Sequence, residues 1–455
     1  MSLLPEQLIA SLRHLPAFNE QAFREVHNQE GTPVSIRLNP AKPFPEEAGL
    51  GRYSEQVPWC SLGQYLAERP PFTFDPLLHA GAYYVQEASS MFVAQAFLQH
   101  KPEGESLRVL DLCAAPGGKS TLLQSLIGEE DLLVSNEVIR SRASILEENC
   151  TKWGGANLVV TNNDPRDFNR LKGYFDVVVV DAPCSGSGLF RKDPDAISEW
   201  SPENVALCSQ RQQRILADIW PALKDDGLLI YSTCSYSEEE DEQVADWMME
   251  NLEAESLKIA VDPSWGIVET ESRHQHAFGY RFYPNRLRGE GFYLSCFRKK
   301  SVELDSWTIP SVGKKKINHP VPTDLIRNVE KFVFRPLADS WLAIPAAFEA
   351  DLQLLQSSLY LKKAGVLLGK PSPKEWIPEH ALALSGIAGA SIPVWELNRT
   401  DALRYLRREI PEGHPEFRGW GMVTYAGLPL GWIKALPNRI NNHYPQNWRI
   451  LKREA

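Results

Sequence analysis

The chain has no CxxC pair, no apolar run approaching the ~18 residues of a membrane span, and no internal repeat or low-complexity tract. The first absence counts against a structural zinc, which needs a cluster of thiolates and imidazoles. The second leaves no candidate for a membrane-spanning helix. The opening segment, MSLLPEQLIASLRHLP, has no basic region followed by a long apolar stretch and does not read as a secretory leader. Positive charge is also in short supply. With 48 Lys and Arg against 58 Asp and Glu the net charge is −10, which does not advertise a polyanion binder. Seven cysteines, an odd number scattered from Cys60 to Cys296, argue for free thiols in a reducing compartment. The sequence therefore points to the cytoplasm.

What is present is the material of a multidomain globular protein. At 455 residues and 43% hydrophobic content, two to four domains with real cores are expected. Charge is unevenly spread. Residues 301–455 carry 20 Lys and Arg against 15 Asp and Glu, while the first 300 carry 28 against 43. A mildly basic tail on an acidic body allows local binding of a polyanion. Residues 1–100 open with two short amphipathic helices, LPEQLIASLRHL and NEQAFREVHN, followed by a Pro-rich mixed segment. Over 101–300 the pattern becomes apolar strands alternating with helices: SLRVLDLC, DLLVSNEV, ANLVVTNND, YFDVVVVDAP and GLLIYSTCS are the strands. This alternation predicts a doubly wound, Rossmann-like α/β sheet. A late GEGFYLSCFRK is expected as an antiparallel edge strand. Residues 301–320 read as a linker, 321–385 as an intermediate α/β segment, and 386–455, rich in Gly and aromatics, as a small β-rich module.

Two sets of residues carry chemistry. VLDLCAAPGGKST places a Gly-rich turn, Cys113, Ala114, Ala115, Pro116, Gly117, Gly118 and Lys119, between the first strand and its helix. Gly118-Lys119-Ser120 matches the end of a nucleoside-triphosphate loop, but that pattern requires glycine where this chain has Cys113, and Pro116 removes an N–H donor. A purely structural turn is the bland alternative. Glu137, at the end of the second strand, is spaced to accept hydrogen bonds from ribose hydroxyls. Asp164 ends the third strand, where a carboxylate can meet an adenine amino group. Singly, each acid is more often a helix cap or a solvated strand end. Together with Asp111 and Asp181 they make an acidic sheet edge that disfavours a triphosphate and suits the cationic sulfonium of S-adenosylmethionine. Cys184 (DAPCSGSG) and Cys234 (YSTCSYSEEEDEQV) follow the fourth and fifth strands, at the same edge. No histidine lies near either, so nucleophile chemistry is favoured over a metal. For Cys60, Cys150, Cys208 and Cys296 the reading is buried hydrophobe. A thiol beside a methyl sulfonium suits pyrimidine carbon 5, which accepts a methyl group once a thiolate has added to carbon 6. Asp181 is placed to contact the base and, if protonated, to donate to ring nitrogen 3. Spacing does not say which cysteine attacks.

CAAPGGKS, NND, DAPCSGSGLFRKDP, STCS and YRFYPNRLRGEGFY, in this order, resemble the Sun-type (nucleolar-protein/Sun) RNA cytosine-5 methyltransferases. The resemblance implies S-adenosylmethionine as cofactor, held by residues 113–119, Glu137, Asp164 and Asp181, and structured RNA as substrate. It implies that Cys234 bonds covalently to the cytosine and that Cys184 assists product release. VSIRLNPAK and YYVQEASSM look like the family's small N-terminal α+β RNA-positioning domain. The tail, with ALRYLRRE and GWGMVTYAGLPLGWIKALPNRINNHYPQNWR, is similar to the bacterial RsmF-like ribosomal-RNA branch, which ends in a PUA-like RNA-binding barrel. There Lys434 and Arg439 would pair phosphates and Trp432 and Tyr444 would stack bases, although aromatics at such density are more often core. Lys314–Lys316 reads as a solvated run. The expected function is cytosine-5 methylation of small-subunit (16S) ribosomal RNA by a monomer. Transfer RNA as substrate, or a non-catalytic ribosome-assembly factor, are the competing readings; the intact pair Cys184 and Cys234 counts against the last.

Overall fold

In the computed structural model, residues 4–45, 48, 53–104, 106–300 and 319–452 are described. Most of the expected linker, with Lys314–Lys316, lies outside them. At the centre stands a mixed sheet whose five parallel strands are Arg108–Asp111, Leu132–Asn136, Leu158–Thr161, Phe175–Asp181 and Leu223–Thr233. We number them first to fifth. Their spatial order is third, second, first, fourth, fifth, which puts the reversal of winding between the first and fourth strands. Ligands of such sheets sit at that crevice, beyond the carboxyl ends of the strands. The registers Asp111↔Val179 and Asp181↔Ser232 align those ends at one edge.

The run VVVV explains why the fourth strand is central. Val177 and Val179 face one apolar layer and Val178 and Val180 the other, all fully buried. Alternation of side chains across the pleat requires this when both faces are covered by helices. Each fully buried valine contributes roughly 1.5–3 kcal/mol of transfer free energy. Phe292–Lys299, the expected edge strand, is antiparallel but interior. It pairs with the fifth strand on one side and with Phe278–Phe282 and Ala254–Leu257 on the other. Its burial is continuous from Phe292 to Phe297, as an interior strand demands. At the opposite edge, Leu361–Ala364 from the C-terminal half pairs with the third strand, extending the sheet.

Ahead of the sheet, helices Glu6–Leu12 and Glu20–His27 precede a four-stranded antiparallel sheet of residues 34–85. Arg37 of that sheet is fully buried and reaches the central domain. Its guanidinium donates to Gln86 Oε1 at 2.8 Å and to the Gly118 and Thr121 carbonyls, clamping the helix that follows the Gly-rich turn. Two further four-stranded sheets follow in the C-terminal half. The last, Val394–Glu396, Gly419–Tyr425, Leu428–Leu436 and Arg439–Asn442, shares a core with the N-terminal sheet, where Ile36, Leu66 and Tyr83 meet Leu403, Leu430 and Ile433. Two residues proposed for base stacking belong to the interior. Trp432 and Tyr444 are each only 1% exposed, and the Trp432 indole donates to the Glu379 carbonyl at 2.8 Å. Lys434 is ion-paired with Glu375, and Arg439 is exposed. The small barrel needs its aromatics for its own core. Among the described residues no helix is long and apolar enough to cross a membrane.

Candidate active site

The Gly-rich turn ends the first strand and opens helix Gly118–Leu126. Gly117 takes φ +119°, a region costly for any residue with a Cβ. At Gly118 a Cβ would lie 3.4 Å from Tyr84 and 3.6 Å from Gln86, so the N-terminal domain closes on the turn at contact distance. Between them is a cleft of about 180 Å³, lined by Cys113 to Pro116, Gly118, Lys119 and Asp181 on one side and Tyr84 to Glu87 with Ser90 on the other. That is smaller than the roughly 300 Å³ at which drug-sized ligand sites begin. It suits the amino-acid end of a nucleoside cofactor, leaving the nucleoside to the strand ends beside it.

Those ends are acidic. Asp111 is fully buried, with one oxygen accepting from Ser120 Oγ at 2.6 Å and the other, Oδ1, without a partner among the described residues. Burial pushes its carboxyl up to about 7, against the Ser120 bond and the Lys119 charge. Glu137, 2% exposed, accepts from the Ile139 N–H at 2.8 Å and lies 3.6 Å from Arg142. An orphaned buried carboxylate oxygen beside a second buried acid fits a cationic ligand with hydroxyl donors, which is the donor set of S-adenosylmethionine. Asp164, at the end of the third strand, caps the following 3-10 turn, accepting from the Arg166 N–H at 3.2 Å and forming a capping box with Asp167. It does not line the cleft.

The Asp111 shift has a sign that can be checked. A carboxyl whose folded pKa lies above its ordinary value near 3.8 holds its proton more tightly when folded. Native stability from this group is therefore lost as pH rises from about 4 through about 7. We expect the melting temperature of Asp111→Asn to gain on that of the original chain as pH is raised from about 5 to 8 without ligand. A constant difference across that range would show that Asp111 is not desolvated.

Lys119 crosses the turn to Asp181, Nζ to Oδ2 2.7 Å, and Asp181 also accepts from Ser232 Oγ at 2.8 Å. Burial opposes the Lys119 charge, but the Asp181 carboxylate outweighs it and holds the ammonium above its usual range. Beyond this pair the two thiols meet: Cys184 Sγ and Cys234 Sγ are 2.7 Å apart. Cys184 is held well above the ordinary thiol range, first by its hydrogen bond to Cys234 and then by burial, with the Glu240 carboxylate adding to both. Either sulfur can donate to the other across this contact. The loops are fixed by a Gly188 N–H to Cys234 carbonyl bond of 2.8 Å, and a Cβ at Gly188 would lie 2.5 Å from the Gly291 carbonyl. Cys60, Cys150, Cys208 and Cys296 are buried free thiols, and no cluster able to hold a metal occurs among the described residues.

The structure thus brings together Cys113 to Lys119, Asp181, Cys184 and Cys234, with Glu137 buried alongside. Sequence reasoning missed Glu240, Gln212 and Arg281 beneath the thiols. The run of five acids after STCS, Glu238 to Glu242, is a local signal, but it does not say which of them are buried.

Models of three known domains match in the order of the chain: the N-terminal domain of 16S rRNA methyltransferase RsmF over residues 4–88, 16S rRNA methyltransferase RsmB/F over 97–298, and the methyltransferase RsmF PUA domain over 393–450. Ribosomal RNA small subunit methyltransferase F of Vibrio vulnificus is 31% identical over 476 residues, covering 97% of either chain. The chain belongs to the RsmB/F methyltransferase family. Ribosomal RNA small subunit methyltransferase F of Aliivibrio fischeri is 30% identical, covering 91% of this chain and 89% of its own length. Among solved structures, a methyltransferase homolog protein from Pyrococcus horikoshii aligns with a TM-score of 0.52 and 25% identity over 65% of this chain and all of its own. NSun6 from the same organism, solved with SFG, aligns with a TM-score of 0.55 over 66% of this chain and 99% of its own; at 16% identity it speaks for the fold. As an RsmB/F member the chain is a methyltransferase with a Rossmann-like core, an N-terminal domain and a C-terminal PUA domain.

Proposed function

We propose that this RsmB/F member transfers a methyl group from S-adenosylmethionine to carbon 5 of a cytosine in 16S ribosomal RNA, through a covalent adduct of Cys234 with carbon 6. The observation that carries this reading is the thiol pair, 2.7 Å between sulfurs, at the same sheet edge as the Lys119–Asp181 pair and the acidic cleft. Either sulfur can donate to the other, so the attacking one has a thiol beside it to stabilise its thiolate, and the choice of Cys234 rests on the resemblance of STCS to the family's motif. The ribosomal substrate is supported by the names of the relatives and by the PUA match.

S-adenosylmethionine would be held by residues 113–119 and Asp181 around the cleft, with Glu137 and Asp164 at the strand ends beside it, and would supply an electrophilic methyl group. The rest falls to the chain. Cys234 forms the sulfur–carbon 6 bond, and the ring electron pair moves to carbon 5, which becomes nucleophilic. Asp181 is paired with a lysine and accepts, so its partner on the base is the exocyclic amine. The Lys119 ammonium, rather than a protonated Asp181, donates to ring nitrogen 3 or the carbonyl oxygen as charge builds there. Carbon 5 takes the methyl group. When the Cys234 sulfur bonds to carbon 6 its hydrogen bond to Cys184 is lost; the Cys184 thiol then gives its proton to water, its thiolate takes the carbon 5 proton, the double bond re-forms, and the Cys234 thiolate leaves. One proton is released overall. A methyl-tritiated donor should place label in 5-methylcytidine when the nucleosides of treated small-subunit RNA are separated. Label in another nucleoside, or none in RNA, would overturn the proposal.

A further inference from the structure

We propose that Glu240 is the positioning residue of the thiol pair, a buried carboxylate that fixes the Cys184 and Cys234 loops to each other by accepting hydrogen bonds from both. The inference rests on the reading of these thiols as the reacting pair. Glu240 Oε1 accepts from the Ser185 N–H at 2.8 Å and from Gln212 Nε2 at 3.0 Å. Its Oε2 accepts from the Ser185 hydroxyl at 2.5 Å and from the Ser235 hydroxyl at 2.7 Å. Ser185 directly follows Cys184 and Ser235 directly follows Cys234. One carboxylate therefore holds the neighbour of each sulfur. Gln212 extends the arrangement, since its Nε2 also donates to the carbonyl of Pro183, on the other side of Cys184.

Glu240 is fully buried, as are Gln212 and, within a few per cent, Ser185 and Ser235. Among the described residues no cation pairs with it, and burial raises its carboxyl against the four hydrogen bonds it receives. A buried carboxylate without a counter-charge is costly unless its oxygens are fully occupied. A carboxylate here, where leucine would carry no desolvation cost and glutamine a smaller one, acts through its acceptor geometry. All four donors converge on it, and a glutamine would turn an N–H₂ group toward one pair of them. The loops also have an independent tether in the Gly188–Cys234 backbone bond, so loss of the carboxylate should loosen the sulfurs without releasing the loops.

Phenylarsine oxide reads sulfur spacing directly: arsenic bonds to both thiols, and its oxygen leaves as water. Capture by the full-length chain, with Cys184→Ala defining background from the other cysteines, is compared with methyl transfer in Glu240→Ala, Glu240→Gln and Ser235→Ala. Misplacement of reacting groups by about 1 Å costs on the order of 100-fold in rate. We expect Glu240→Ala to lose about that much kcat and at least about tenfold in arsenical affinity, with the KM for S-adenosylmethionine within about twofold of the original. Glu240→Gln and Ser235→Ala, which each keep part of the bond set, should fall between. Should Glu240→Ala fail to fold, those two carry the comparison. Unchanged kcat in the variants, or lost kcat with unchanged arsenical capture, overturns the proposal. If the original chain shows no methyl transfer to RNA, the functional reading fails while capture alone still decides the positioning role.

Discussion

Cys234→Ala should abolish methyl incorporation into RNA, by about 10³-fold or more, and should give no covalent complex on a denaturing gel. Cys184→Ala should be as inactive in turnover yet accumulate a protein–RNA adduct that survives denaturation. The contrast follows from the different roles proposed for the two thiols. Cys184, half-buried with its sulfur 2.7 Å from that of Cys234, is held well above the ordinary thiol range by that hydrogen bond and by burial, and its proposed part is to take up the carbon 5 proton rather than to attack. Removing Cys184 leaves the attacking sulfur and the Lys119–Asp181 pair in place, so addition and methylation proceed. What it removes is the acceptor for the carbon 5 proton, and without that step the sulfur–carbon bond cannot be broken by elimination. An adduct that forms in Cys234→Ala and not in Cys184→Ala would exchange the two roles.

The parts legible in the sequence were those that periodicity and local motifs encode. Five apolar runs marked the parallel strands, because a strand covered on both faces must be apolar throughout. The Gly-rich turn announced itself because its backbone conformation at Gly117 restricts the residue type. Residues held by partners far along the chain were not legible. Glu240 looks like one acid in a solvated run, and its role exists only because Ser185, 55 positions earlier, comes beside it. Gln212 sits on an amphipathic helix where a polar residue is unremarkable, yet it is fully buried. The reverse holds at Trp432 and Tyr444. Their aromatic character suggested a base-stacking surface, but the burial that decides between surface and core depends on His380 and Tyr405, against which Tyr444 packs edge-on. The strand Phe292–Lys299 was legible as a strand and not as an interior one, because its second neighbour, FGYRF, alternates too weakly to stand out.

Arg281 shows how far such unseen charges support the site, and Arg281→Ala should cost about 3–5 kcal/mol of stability, read as a lowered urea midpoint. It lies on strand Phe278–Phe282, 1% exposed, and its guanidinium is ion-paired with both Asp241 and Glu242. Its Nη1 donates to the Tyr236 carbonyl at 2.8 Å, two residues beyond Cys234. Removing the cation strands two carboxylates that cannot reach water, and breaking a buried ionic cluster costs far more than the cluster itself stabilises. Replacing all three groups with neutral ones, Arg281→Met with Asp241→Asn and Glu242→Gln, should therefore recover most of the lost stability. Methyl transfer should not return with it, because no methionine can anchor the Tyr236 carbonyl and thereby the turn that carries Cys234. A single Arg281→Ala variant within about 1 kcal/mol of the original chain would mean that the acids find other partners and the turn another anchor. Recovery of both stability and activity in the triple variant would confine Arg281 to a structural role. The outcome expected here, stability without turnover, separates the charge balance that holds this domain together from the hydrogen bond that anchors the Cys234 turn.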